Sequence, residues 1–126
     1  MRILLVDDMP DQVRKYQKVI KELGHEVEAT NDSRLAWELL QSETFDAMVS
    51  DVQMPIMSGV DLVWSIFYLN LDLPCLLHSS EAQHSNGHEW IDLSTLHEEL
   101  TFVTFHRKHW NIDPTYISEF LATIKV

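Results

Sequence analysis

Ile3-Leu4-Leu5-Val6 is an unbroken apolar run that leads into Asp7-Asp8. A short run of this kind, bounded by polar residues, predicts a fully buried strand. Pro10 suits the first turn of a helix, because its missing N–H would have no partner there. Val13, Tyr16, Ile20 and Leu23 follow at helical spacing, and Gly24 is a good helix stop. From His25 to Thr30 the pattern alternates. Val27 and Ala29 take one face and Glu26 and Glu28 the other, which predicts a half-exposed edge strand. Asn31 or Asp32 can cap a second helix carrying Leu35, Ala36, Leu39 and Leu40. Phe45 to Ser50 predicts a third strand, ending at Asp51. Ser58 can cap a third helix with Val60, Val63, Ile66 and Phe67 inward. Pro74 to Leu77 predicts a fourth strand, and Phe102 to Phe105 a fifth. Between them the pattern is less regular and predicts a helix around His88 to Leu100. Asp113-Pro114 opens a last helix that buries Ile117, Phe120, Leu121 and Ile124.

Five strands alternating with helices imply a parallel sheet covered on both faces. Right-handed crossovers make this a doubly wound, three-layer α/β/α sandwich. In such folds the functional crevice lies beyond the C-terminal strand ends, where the strand order reverses.

At 126 residues, the expectation is one domain spanning 1–126. The chain is 45% hydrophobic and 23% charged, which excludes disorder and fibrous repeats. A single cysteine, Cys75, forbids an intramolecular disulfide and favours a reducing compartment. Nine basic against 20 acidic residues leave a net charge of −11, the wrong sign for direct nucleic-acid binding. The apolar stretch Val60 to Leu71 is interrupted by Asp61, Ser65 and Asn70, so no membrane insertion is expected. The run Ile3 to Val6 is too short for a secretory signal. These features describe a small acidic domain, expected to be cytoplasmic.

The acidic residues fall at meaningful places. Asp7 and Asp8 follow the first strand and Asp51 the third. With the order 2-1-3-4-5 these strands are neighbours at the reversal, so three carboxylates converge there. Such a cluster repels itself and calls for a cation; hard oxygen donors suit Mg2+ better than zinc. Ser79 follows the fourth strand and Lys108 the fifth. A hydroxyl and an ammonium facing three carboxylates and a metal make a phosphoryl-transfer site. Taken singly, each of these residues also has an ordinary role, such as a helix cap, a loop serine or a surface lysine.

At this point the whole chain resembles the receiver domain of two-component response regulators. The resemblance rests on Ile3-Leu4-Leu5-Val6-Asp7-Asp8, on Met48-Val49-Ser50-Asp51-Val52-Gln53-Met54-Pro55-Ile56-Met57-Ser58-Gly59, on Ser79 and on Lys108. Asp51 to Gly59 matches the family's D-x-x-M-P-x-M-x-G. The resemblance implies a flavodoxin-like fold and Asp51 as the phosphate acceptor. It implies Mg2+ (or Mn2+) held by Asp7, Asp8, Asp51 and the backbone carbonyl of Gln53. Ser79 would be the switch hydroxyl, Lys108 the lysine that pairs with the acceptor, and Phe105 the rotating aromatic. Gln53 and Glu81 would tune dephosphorylation. The implied partners are a histidine kinase or histidine phosphotransfer protein and a downstream target bound by a switching face.

The second half departs from the family pattern. Ser79 to Lys108 spans 29 positions, longer than the family needs by about two helical turns. The Ala-Gly-Ala-type segment expected before the fifth strand is replaced by Glu98-Glu99-Leu100-Thr101. The proline expected after Lys108 is replaced by His109. A cis bond costs about 2.5–4 kcal/mol before a non-proline residue, so a trans Lys108–His109 bond is expected. His106 stands where an apolar strand residue is usual. Six of the seven histidines lie between His78 and His109, with only His84 and His88 at a tidy i, i+4 spacing. A solvated, histidine-rich stretch explains them more simply than a metal site. Cys75 reads as inert core. Trp37 and Trp64 are expected to pack on their helices; Trp90 and Trp110 are interface candidates on the signalling side.

The leading expectation is a phosphorylatable receiver rather than an enzyme. The chain ends with its last helix, so a stand-alone shuttle or partner-binding switch is expected, although a receiver cut from a longer protein would read the same. The alternative is a pseudo-receiver that signals by protein binding without phosphorylation. An aspartyl phosphatase would want a second aspartate two residues after Asp51, where Gln53 stands. A flavin protein would want a Ser/Thr/Gly-rich loop where Asp7-Asp8-Met9-Pro10 stands.

Overall fold

The computed structural model describes residues 1–85, 90–108 and 114–124. Its strands are β1 (Arg2–Val6), β2 (Glu26–Thr30), β3 (Ala47–Asp51), β4 (Cys75–Ser79), β5 (Gln83–Ser85), β6 (Trp90–Asp92) and β7 (Val103–Arg107). Its α-helices are α1 (Pro10–Glu22), α2 (Ser33–Ser42), α3 (Gly59–Tyr68) and α4 (Thr115–Ala122). Five strands form a parallel sheet in the order β2-β1-β3-β4-β7. With β7 as the fifth strand of the sheet, this is the expected 2-1-3-4-5 arrangement and a flavodoxin-like α/β sandwich.

Strand alternation divides the core into two layers. Leu4, Val6, Met48, Cys75, Leu77 and Val103 face α2 and α3. Ile3, Leu5, Ala47, Val49 and Leu76 face Tyr16 and Ile20 of α1 and Ile117, Phe120 and Leu121 of α4. β2 is the half-exposed edge, with Val27 and Ala29 turned inward. α1 stops at Gly24, whose φ of 91° lies in the left-handed region that glycine enters without penalty. Asp32 caps α2 through the Arg34 N–H at 2.9 Å. Ser58 and Asp61 form a reciprocal capping box on α3.

The expected helix over His88 to Leu100 is not formed by its described residues. β5 and β6 pair antiparallel as a two-stranded ribbon, and Leu93–Glu98 forms a 3-10 helix. Asp92 accepts hydrogen bonds from both the N–H and the hydroxyl of Ser94, fixing a turn where the helix would have run. Leu93, Leu96 and Leu100 then bury from this short element. The excess length between Ser79 and Lys108 is therefore spent on a ribbon and a 3-10 turn. Of the His84 and His88 pair, His84 is a buried strand residue and His88 lies outside the described residues. Phe67, expected inward, is half exposed. α3 buries a stripe centred on Leu62, Val63 and Ile66 and leaves Phe67 beyond its edge. Leu35 and Leu23 are likewise exposed.

Candidate functional site

β1, β3, β4 and β7 run in the same direction, so their C-terminal ends meet along one edge of the sheet. Asp7 follows β1, Asp51 closes β3, Ser79 closes β4 and Lys108 follows β7. The expected convergence is realised. One carboxylate oxygen from each of Asp7, Asp8 and Asp51 lies within 4.8 Å of the others. The Lys108 ammonium stands 3.4 Å from Asp51 Oδ1 and 3.6 Å from Asp7 Oδ2.

Two carboxylates thus share one ammonium, with a third beside them. Asp7 is fully buried. Its Oδ1 accepts the Met9 N–H at 3.0 Å, while Oδ2 has no hydrogen-bond partner. Burial pushes the Asp7 carboxyl up, against the pull of Lys108. Burial also raises Asp51 to about 6; Lys108 opposes the shift and Asp7 adds to it. A buried oxygen with no hydrogen bond and only a long ion pair to Lys108, within an excess of carboxylates, has the donor chemistry of a cation site, and an all-oxygen set fits Mg2+. Asp7, Asp8 and Asp51 are the residues that would hold it.

The loop after β3 is pinned on both sides. Gly59 N–H donates to Val52 O at 2.9 Å, and Ser33 Oγ donates to Pro55 O at 3.1 Å. A Cβ on Gly59 would stand 2.3 Å from the Asp51 carbonyl oxygen, so only glycine lets α3 approach the acidic residue this closely. Ser79 is buried and its Oγ accepts the Glu81 N–H at 3.1 Å, which leaves the hydroxyl proton to be donated. Lys108 N–H donates to Ser79 O at 2.7 Å, coupling the two strand ends. Phe105 is partly buried against the layer under α2 and α3. Gln53 and Glu81 are exposed beside the site. Trp90 is 72% exposed on the ribbon, as an interface candidate must be. Trp110 and the Lys108–His109 bond lie outside the described residues. Trp37 and Trp64 pack against the core, and Cys75 is buried, with its thiol pushed up by burial.

Sequence reasoning passed over one group at this end of the sheet. His78 and His106, in register on β4 and β7, meet Tyr16 of α1 and Tyr116 of α4. The signal was available in the pair of histidines placed two residues after Leu76 and Thr104 on adjacent strands.

The profile of the response regulator receiver domain matches residues 3–96. A two-component response regulator of Arabidopsis thaliana is 35% identical over 88 residues, covering 68% of this chain and 14% of that protein. The chain therefore spans only a small part of the curated relatives it matches. Among solved structures, a chemotaxis protein of Vibrio cholerae superimposes with a TM-score of 0.74 at 24% identity, over 98% of both chains. A response regulator protein of Thermotoga maritima, solved in complex with Mg2+ and BeF, gives 0.74 at 24% identity, over 97% of this chain and 96% of that one. At these identities the structural likeness speaks for the fold. Among the described residues, no helix is long and apolar enough to cross a membrane.

Proposed function

The chain belongs to the response regulator receiver domain family, and on that premise we propose that it is a single receiver unit that accepts a phosphoryl group on Asp51. The observation that carries this reading is the meeting of Asp7, Asp8 and Asp51 with Lys108 at the reversal of strand order. An Asp51 carboxylate oxygen attacks the phosphorus of a phosphohistidine on a histidine kinase or phosphotransfer protein. The P–O bond forms, the P–N bond breaks, and the released imidazole takes a proton from solvent. Lys108 neutralises charge on the transferring group. Bound at the carboxylates, Mg2+ would supply further charge neutralisation for the phosphoryl oxygens. Asp7, Asp8 and the Gln53 carbonyl would hold it alongside Asp51.

Ser79 then donates its free hydroxyl proton to a phosphoryl oxygen, and Phe105 turns toward the space this vacates. The outcome is a changed surface around the β5-β6 ribbon and β7, with Trp90 and Trp110 as partner contacts and Gln53 and Glu81 setting the lifetime of the acyl phosphate. The role is signalling rather than turnover of an external substrate, in an intracellular, cytoplasmic setting. A second reading draws on the ribbon of β5 and β6, whose second strand begins the stretch where a helix was expected: a pseudo-receiver that binds a partner through this surface without phosphorylation.

Incubation with phosphoramidate or acetyl phosphate, with and without Mg2+, followed by intact mass, separates the two. A Mg2+-dependent phosphoryl adduct that disappears in Asp51→Asn supports the acceptor. Mg2+ binding with no adduct supports the pseudo-receiver.

A further inference from the structure

The two carboxylates hold Lys108 loosely. Charge-assisted N–H···O bonds run at about 2.7–2.9 Å, and the Lys108 contacts of 3.4 and 3.6 Å are longer. A third group, the Tyr16 ring, stands beside it. Lys108 Nζ lies 5.5 Å from the centre of the Tyr16 ring, within cation–π range, and its side chain is 19% exposed. The exposed Lys15 ammonium also approaches this ring, at 5.4 Å. The Tyr16 ring is itself clamped. His78 packs on it at 4.7 Å between centroids, and the Tyr116 hydroxyl donates to the Tyr16 oxygen at 3.4 Å. His78 Nδ1 lies 2.8 Å from the same Tyr116 hydroxyl. His78 Nε2 is buried with no hydrogen-bond partner. His106 stacks on Tyr116 at 3.9 Å and 9° between ring planes. All four rings occupy the face of the sheet under α1 and α4, opposite the side where Phe105 packs.

We infer that Tyr16 is a positioning residue for the phosphoryl-transfer site: its ring, clamped by His78 and Tyr116, directs the Lys108 ammonium between Asp7 and Asp51. The kinetic half of this inference rests on Asp51 being the acceptor; the structural half does not. The cluster also ties the lysine to α4, because Tyr116 is the second residue of that helix.

The test uses the full chain in EDTA, with the Lys108 side-chain methylene resonances assigned from their loss in Lys108→Arg. In the wild type they are expected upfield of the other lysines, shifted by the Tyr16 ring current. Tyr16→Phe loses the Tyr116 hydrogen bond but keeps the ring and its packing on His78, and with them most of the shift; Tyr16→Leu abolishes the shift. Tyr116→Phe keeps both rings but removes the bonds to both Tyr16 and His78 and reduces the shift further, which supplies a reading even where Tyr16→Leu does not fold. With phosphoramidate and Mg2+, Tyr16→Leu is expected to be phosphorylated about tenfold more slowly and Tyr16→Phe within about twofold of wild type. Unshifted Lys108 resonances in the wild type, or equal rates for Tyr16→Leu and Tyr16→Phe, would overturn the inference. Should no chain take the phosphoryl group, the acceptor reading falls, while the resonances still decide whether Tyr16 directs Lys108.

Discussion

Replacing Asp51 by Asn should stabilise the metal-free protein, and the gain should grow with pH. The Asp51 side chain is 13% exposed, and burial with the neighbouring Asp7 raises its pKa from 3.8 to about 6 despite the pull of Lys108. The folded state therefore holds a proton that the unfolded chain has already released. Stability present below pH 3.8 is lost as the pH rises through about 6. The interval is about two pKa units at 1.36 kcal/mol each, so the full cost approaches about 3 kcal/mol. Asp7 is raised by the same cause and adds in the same direction. Asparagine has nearly the shape of aspartic acid and no charge to bury. Urea unfolding followed by tryptophan fluorescence, in EDTA at pH 4.5 and 7.5, measures the difference. Asp51→Asn should exceed wild type slightly at pH 4.5 and by about 2–3 kcal/mol at pH 7.5. Millimolar Mg2+ should close the gap at pH 7.5 by stabilising only the charged wild type. A difference that does not change with pH, or a less stable Asp51→Asn at pH 7.5, would refute this electrostatic account of the site.

Gly59→Ala should destabilise by about 1–3 kcal/mol in the same urea assay, because its Cβ meets the Asp51 carbonyl at 2.3 Å and Leu77 at 3.0 Å. Since the displaced backbone carries Asp51, its phosphorylation rate should fall as well. Lys108→Met removes the ammonium between Asp7 and Asp51, so titration calorimetry should find Mg2+ bound roughly tenfold more tightly. Weaker Mg2+ binding in that variant would mean that the lysine helps to build the metal site. Cys75 is fully buried and its thiol is held in the neutral form, so a thiol reagent such as DTNB should react only in denaturant.

The sheet and its acidic edge were legible because local signals and tertiary burial agree there. Ile3–Val6, Met48–Val49 and Cys75–Leu77 are apolar on both faces, as central parallel strands must be. Asp7, Asp51 and Ser79 then fall at strand ends, and parallel pairing brings them together. The β5-β6 ribbon was not legible. Gln83-His84-Ser85 carries little hydrophobic periodicity, and its pairing with Trp90–Asp92 is decided by tertiary contacts such as the Leu93 N–H to Ala82 O bond. The inward face of α3 was rotated in the reading from sequence because several of its residues are apolar, and only packing chooses Leu62 over Phe67. The Tyr16–His78–Tyr116 cluster joins hydroxyls 100 residues apart in sequence, a distance that no periodicity reports.

The most direct test of the central claim is chemical trapping. The protein would be incubated with phosphoramidate and Mg2+, reduced with borohydride, which converts an aspartyl phosphate to homoserine, and mapped by peptide mass spectrometry. Homoserine at position 51, dependent on both donor and Mg2+, is the predicted result. Homoserine at Asp7 or Asp8, or none at any position while Mg2+ binds, would contradict the assignment of Asp51 as the phosphoryl acceptor.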